Sequence, residues 1–125
     1  MWRLKNPSKP FQLIACRDIG VFASTCFLAP ESWNNKALGL AGSEITLTEA
    51  NEIFKEKTGL PALPETSELL VKGMFWAMKD LKLMFEFFAN VQYGADIPEL
   101  KKIHPGLMSW DEWLVKESGW VKSDA

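Results

Sequence analysis

Residues 69–93 (LLVKGMFWAMKDLKLMFEFFANVQY) hold the largest block of apolar side chains in the chain, and any fold has to bury much of it. Leu70, Met74, Ala77, Leu81, Met84 and Phe88 recur at steps of four and three, the spacing that stacks side chains along one side of a helix. Val71, Phe75, Met78 and Phe85 add a second stripe beside the first, so the apolar arc is wider than a surface helix of a compact domain shows. The spacing predicts a central helix over 69–93, with a break at Lys79 or Asp80 as the variant. Such a helix needs covering on two sides.

The remaining composition narrows the partners. Acids and bases are interleaved and the net charge is −2, so there is no electrostatic footprint for nucleic acid or an anionic membrane. The longest uncharged apolar run, residues 21–29, is half of what a bilayer requires, and Arg17 and Asp18 cut short the apolar patch before it. Neither a membrane span nor a signal peptide is expected, which points to the cytoplasm or nucleus. Cys16 and Cys26 form no CxxC, and there is one histidine, so a disulfide framework and a zinc site are both poorly supported. Buried reduced thiols are the expectation. A chain of 125 residues fits one domain.

Read in order, residues 1–10 are rich in turn formers and bases and form a tail or linker. Residues 11–16 (FQLIAC) suit a strand, and Asp18 is expected to cap a helix that runs to about Leu28, with Phe22, Cys26 and Ala29 on one side and Pro30 at its end. A loop follows over 31–35. Residues 36–41 (KALGLA) suit a short buried strand, which would complete a strand, helix, strand crossover. Thr46 with Glu49 gives a capping box for a helix over 47–58, and Gly59 supplies its left-handed stop. Residues 60–64 (LPALP) connect to the central helix, which Gly94 ends. Asp96 with Pro98 starts a helix to about Ile103, Pro105 and Gly106 force a turn, and Ser109 with Glu112 caps a last helix ending near Gly119 that carries Trp110, Trp113 and Leu114 on one side.

No catalytic constellation emerges. His104 has no acid, cysteine or serine at a fixed short-range spacing and is expected to be a turn or structural histidine. Asp111 and Glu112 are adjacent and point about 100° apart on a helix, so they do not form a pair. A cap accounts for Asp18 more simply than a catalytic acid does. Lys72, Lys79 and Lys82 have no glycine-rich backbone beside them and are expected on a solvated edge. The aromatics Phe75, Trp76, Phe85 and Phe88, at helical spacing, are either core or a partner-binding surface. The glycines at 20, 39, 42, 59, 73, 94, 106 and 119 match no dinucleotide fingerprint.

The succession of motifs carries further information. The Asp18-Ile19-Gly20 junction, the LAG-x-E-x-T segment within 36–54, MFEFF at 84–88, YGADI at 93–97 and HPGL-x-x-W at 104–110 resemble, in that order, the C-terminal portion of the NmrA-like family. These are atypical short-chain dehydrogenase-like proteins with an NAD(P)-binding Rossmann fold, and the likeness covers about residues 11–120. The resemblance implies an N-terminal nucleotide-binding part with a glycine-rich loop, which has no counterpart in these 125 residues. NADP is therefore implied for the intact family and no cofactor is expected for this chain alone. Family members of the regulator type bind NAD(P) without a Tyr-x-x-x-Lys pair and act as redox sensors or repressor-like partners of transcription factors; others are reductases. The pair is absent here too, since Gly94, Ala95, Asp96 and Ile97 follow Tyr93.

The expected fold is α/β: the mainly helical C-terminal portion of a Rossmann-like fold with two or three short strands. Residues 1–10 and 121–125 are tails, and 11–120 are the substrate- and partner-side portion. Residues 36–41 would close a sheet whose other strands lie elsewhere, while FQLIAC pairs locally with 44–47. The expected function is that of a truncated NmrA-like redox-sensing transcriptional regulator or atypical reductase, with enzymatic activity left open and no catalytic, cofactor or metal residue assigned. Its partners would be a missing or separate nucleotide-binding domain and a transcription factor. The alternative is a stand-alone helical interaction module using Phe75, Trp76, Phe85 and Phe88.

Overall fold

The computed structural model describes residues 8–91 and 93–121; of the expected tails at 1–10 and 121–125, residues 1–7 and 122–125 lie outside the described residues. The fold is mixed α/β and mostly helical: β1 (Phe11–Leu13), α1 (Cys16–Leu28), α2 (Pro30–Trp33), β2 (Ser43–Ile45), α3 (Leu47–Thr58), α4 (Glu68–Ala77), α5 (Lys79–Asn90), α6 (Ile97–Ile103) and α7 (Trp110–Lys116). These group into two compact units, one of residues 8–11 and 45–91, the other of 12–44 and 93–121.

In the first unit, α3 begins with the expected capping box. The Glu49 N–H donates to Thr46 Oγ1 at 3.2 Å, and the Thr46 N–H donates back to Glu49 Oε2 at 2.7 Å. Gly59 ends the helix with φ +72°, a conformation that costs glycine little. Ala50 and Phe54 are fully buried, and Asn51 Oδ1 accepts from the Leu63 N–H at 3.0 Å, tying the proline-bracketed connection to the helix.

The expected central helix is two helices, broken at Met78, one residue before the variant break site. Phe75 and Phe85 show why. Ten residues apart on one straight helix they would be separated by about 15 Å; here their rings lie 5.6 Å apart. The break lets α5 fold back on α4, which leaves Val71 buried and Met74, Phe75, Leu81, Phe85 and Phe88 half-buried, while Leu70, Ala77, Met78 and Met84 of the two stripes stay exposed. Phe85 and Phe88 meet edge to face at 6.1 Å, and Phe11 meets Phe88 at 5.4 Å.

In the second unit, β1 pairs with β2, close to the expected local pairing with 44–47. The strand reading of residues 36–41 is corrected: they form no strand, so the crossover unit is not formed. Residues 36–39 are exposed with no partner strand among the described residues, Leu40 and Ala41 turn into the core, and pairing begins only where the Gly42 N–H donates to the Leu13 carbonyl at 2.7 Å. The strand over 11–16 is likewise shorter, because Cys16 already opens α1. Residues 31–33, expected in a loop, make a single helical turn with Pro30 at its start, where the missing N–H is not needed. Phe22, Leu100 and Leu107 form the core, with Ile14, Leu40, Ala95 and Ile97 packed against it.

Two local expectations fail for a shared reason: α1 starts earlier than its sequence signals suggest. Ala15 occupies the N-cap without a side-chain bond, so Asp18 is not a cap but the third residue of the helix, and it is buried. Cys16, at the first helical position, is exposed and Cys26 is half-buried, so neither thiol is fully buried; both are free.

The bonds from the Thr46 backbone and hydroxyl hold the Glu49 carboxyl below its usual range. A carboxyl whose folded value is depressed contributes stability that is complete above its unfolded value and is lost as pH falls through the folded one. Thr46→Ala removes the hydroxyl partner and is expected to lower stability in urea unfolding at neutral pH, and the difference from wild type should shrink below about pH 4. An equal difference at both pH values would contradict this account of the box.

Candidate functional site

The second unit is organised around a buried carboxylate. Asp18 projects from the first turn of α1, the end of a helix that favours negative charge, and is 1% exposed. Its Oδ1 accepts from His104 Nε2 at 3.1 Å and its Oδ2 from the Met108 N–H at 2.9 Å. Among the described residues the His104 ring bonds to nothing else; it stands edge-on to Phe22 at 5.8 Å and rests against Gly106. An acid-imidazole pair of this kind orients a general base when a nucleophile reaches the other nitrogen. Among the described residues no nucleophile reaches it, and the pair links α1 to the turn after α6.

Three further contacts draw the same segments together. The Gln12 amide behaves like a peptide group: Oε1 accepts from the Ala95 N–H at 2.9 Å, and Nε2 donates to the Ala95 carbonyl at 3.0 Å and to Glu44 Oε2 at 2.7 Å. The Trp110 N–H donates to Ser43 Oγ at 2.7 Å. Gly42 lies so close to the Met108 carbonyl that an added Cβ would overlap it. Asp96 caps α6 by accepting from the Glu99 N–H at 3.1 Å, and the Glu112 carboxylate accepts from the Ser109 N–H at 3.2 Å at the start of α7.

Beside this knot lies an apolar cleft of about 220 Å³, bordered by Leu13, Ile14, Met108 and Trp113, with Cys16 and Ser109 at its polar margin. That is below the volume of ordinary small-molecule pockets. Trp110 and Trp113 stack at 5.4 Å with an interplanar angle of 18°.

Of the residues singled out from sequence, Phe75, Phe85 and Phe88 are half-buried and touch one another, whereas Trp76 stands apart at 87% exposure. Lys72, Lys79 and Lys82 are all exposed. The sequence reading missed the partner of His104. Asp18 and His104 both stood in recognised motifs, but 86 positions separate them and no local spacing joins them.

A family model for NmrA-like proteins matches residues 1–114. No curated protein sequence matches the chain. The motifs quoted above, DIG, LAG, YGADI and HPGL-x-x-W, thus supply the atoms of one hydrogen-bonded and close-packed knot.

The residues present do not fit the pyrophosphate of a dinucleotide. Recognition requires glycines between a strand and a helix so that backbone approaches phosphate. Here Ile14 and Ala15 join β1 to α1, and Gly20 lies in the second turn. The glycines with positive φ, at 59, 94 and 119, all follow helices.

Asp18→Ala leaves a buried N–H and an imidazole unpaired and should cost about 3 kcal/mol. Asp18→Asn keeps one acceptor and one donor and should cost about 1 kcal/mol. Gly42→Ala, by overpacking, should cost about 2 kcal/mol. Urea denaturation of the three variants checks the ranking, and wild-type stability in Asp18→Ala would remove the knot from the account.

Proposed function

We propose, for a chain that belongs to the NmrA-like family, that it acts as the substrate- and partner-side part of an NAD(P)-associated protein of the redox-sensing regulator or atypical reductase kind. In this reading a nucleotide-binding segment of Rossmann type, from outside these 125 residues, carries the cofactor, and the assembled protein engages a transcription factor or a reducible substrate. The chain by itself takes no dinucleotide.

The observation that carries the reading is the outer side of α1. Cys16, Gly20, Ala23 and Phe27 recur at steps of four and three on the exposed side of the helix that bears Asp18. No charged residue occurs between Asp18 and Glu31, and Phe27 is 83% exposed. A solvated helix normally places charge on such a face. Small residues flanked by a bare phenylalanine suit close packing against another protein surface. The absence of a glycine loop and of a Tyr-x-x-x-Lys pair agrees with a cofactor held elsewhere and with chemistry not performed by this chain.

A second reading, a stand-alone interaction module, is favoured by Trp76 on the outer side of α4. The two readings separate on nucleotide dependence.

Calorimetric titration of NADPH into the chain is expected to give no saturable heat, and low-micromolar binding would overturn the first reading. Co-expression with an NmrA-like nucleotide-binding domain is expected to yield a soluble complex that binds NADPH, and Phe27→Glu should abolish co-purification. A complex indifferent to that substitution would remove α1 as the docking face.

A further inference from the structure

The apolar cleft of the second unit is the concave feature that the knot frames without using. Leu13, Ile14, Met108 and Trp113 form its walls, with Cys16 and Ser43 at its margin. Trp113 is held in a stack on Trp110, which gives the cleft one flat wall fixed in advance.

Size and hydration decide what can fill it. At about 220 Å³ the cleft is too small for a drug-sized molecule. It is nevertheless larger than the roughly 150 Å³ apolar cavity that holds a benzene ring, so one ring fits and a compact pair of rings can be seated against its open side. Water is a poor occupant, because a trapped water needs about two to four polar partners. The Ser109 hydroxyl is already spent on the Asp111 carboxylate at 2.6 Å. Ser43 is different: its Oγ accepts from the Trp110 N–H at 2.7 Å, and its own proton goes to no acceptor among the described residues. A hydroxyl that has only accepted keeps one donor to give. No charged side chain is among the described residues that line the cleft, so an ion entering it would lose hydration without gaining a partner.

We propose that this cleft is a binding site for a small neutral aromatic molecule of one or two rings carrying a hydrogen-bond acceptor. The rings lie against Met108 and Trp113, and the acceptor takes the Ser43 proton. All of the lining belongs to this chain, so the site does not depend on the NAD(P)-associated role, and nucleotide titration and the titration below succeed or fail separately.

Quinoline at pH 8, where its ring nitrogen is unprotonated, is a probe of this class. Titrated into the whole ¹⁵N-labelled chain, it should shift the amide signals of Ser43 and Met108 and the indole signal of Trp113 saturably, with a dissociation constant on the order of 1 mM. The signals of Leu69 and Trp76, which are exposed apolar residues outside the cleft, should stay in place. Ser43→Ala should weaken binding about fivefold, and Ser43→Thr, which keeps the hydroxyl, should restore it. Because Ser43→Ala also takes an acceptor from the Trp110 N–H, urea unfolding checks that the fold is retained. Cys16→Trp replaces an exposed free thiol with a ring large enough to fill the cleft, and should abolish binding. As an independent measurement on the unaltered chain, quinoline should slow labelling of Cys16 by N-ethylmaleimide severalfold. Cys26, about 15 Å further along α1, should label at an unchanged rate. Shifts that never saturate and spread equally to Leu69 and Trp76 mean adherence to any apolar surface, and overturn the proposal. So does saturable binding that neither Ser43→Ala nor Cys16→Trp alters, or Cys16 labelling that quinoline leaves unchanged.

Discussion

A carboxylate taken out of water has to have both oxygens occupied, and the second unit is built around how Asp18 meets that demand. Its partners lie 86 and 90 positions downstream, so the chain after α5 must return to the first turn of α1 for the acid to be buried at all. Gln12 imposes the same return through Ala95, 83 positions away. Gly42 then allows the returning strand of chain to lie against the Met108 carbonyl without a side chain between them. Apolar burial of Phe22, Leu100 and Leu107 supplies the undirected part of the stability, while the polar contacts select which segments meet. No buried polar side-chain atom among the described residues is left without a partner.

The first unit is held by different means. Its α3 is secured by a capping box and a left-handed glycine, features confined to a few consecutive residues, and α4 and α5 are held together by edge-to-face and tilted phenylalanine contacts. Local caps and aromatic packing define helices well but direct them weakly. A carboxylate or amide with fixed bond directions constrains geometry more than a ring contact does.

That difference explains what could be read from the sequence. The helices started by Thr46, Asp96 and Ser109 were legible because cap and capped residue lie three positions apart. Asp18 misled because the residue types that cap helices are also those that bond to backbone N–H groups at a distance, and only the fold distinguishes the two uses. The strand expected at 36–41 failed because a short apolar run does not reveal whether a partner strand exists; here its last residues serve the core instead. The break at Met78, one residue before the variant site at Lys79 or Asp80, brings Phe75 onto Phe85, a tertiary contact that the helical spacing through 69–88 does not itself show. Motif order, by contrast, read the family correctly. The motif residues are mostly the knot itself, so they report a shared way of folding more directly than a shared chemistry.

Function then has to reside in what the knot holds in place and in what the fold leaves uncovered. The cleft beside Trp113 is smaller than an ordinary ligand pocket and apolar in its lining. Both α1 and α4 carry an exposed glycine, Gly20 and Gly73, and an added Cβ would meet nothing within 4 Å at either. Both glycines weaken the helices that contain them without relieving any contact inside the chain. A chain selected for the stability of its isolated form would gain from alanine at both positions. Beside these glycines Phe27 stands exposed on one helix and Leu69 and Trp76 on the other, apolar area that burial against any second surface would remove from water.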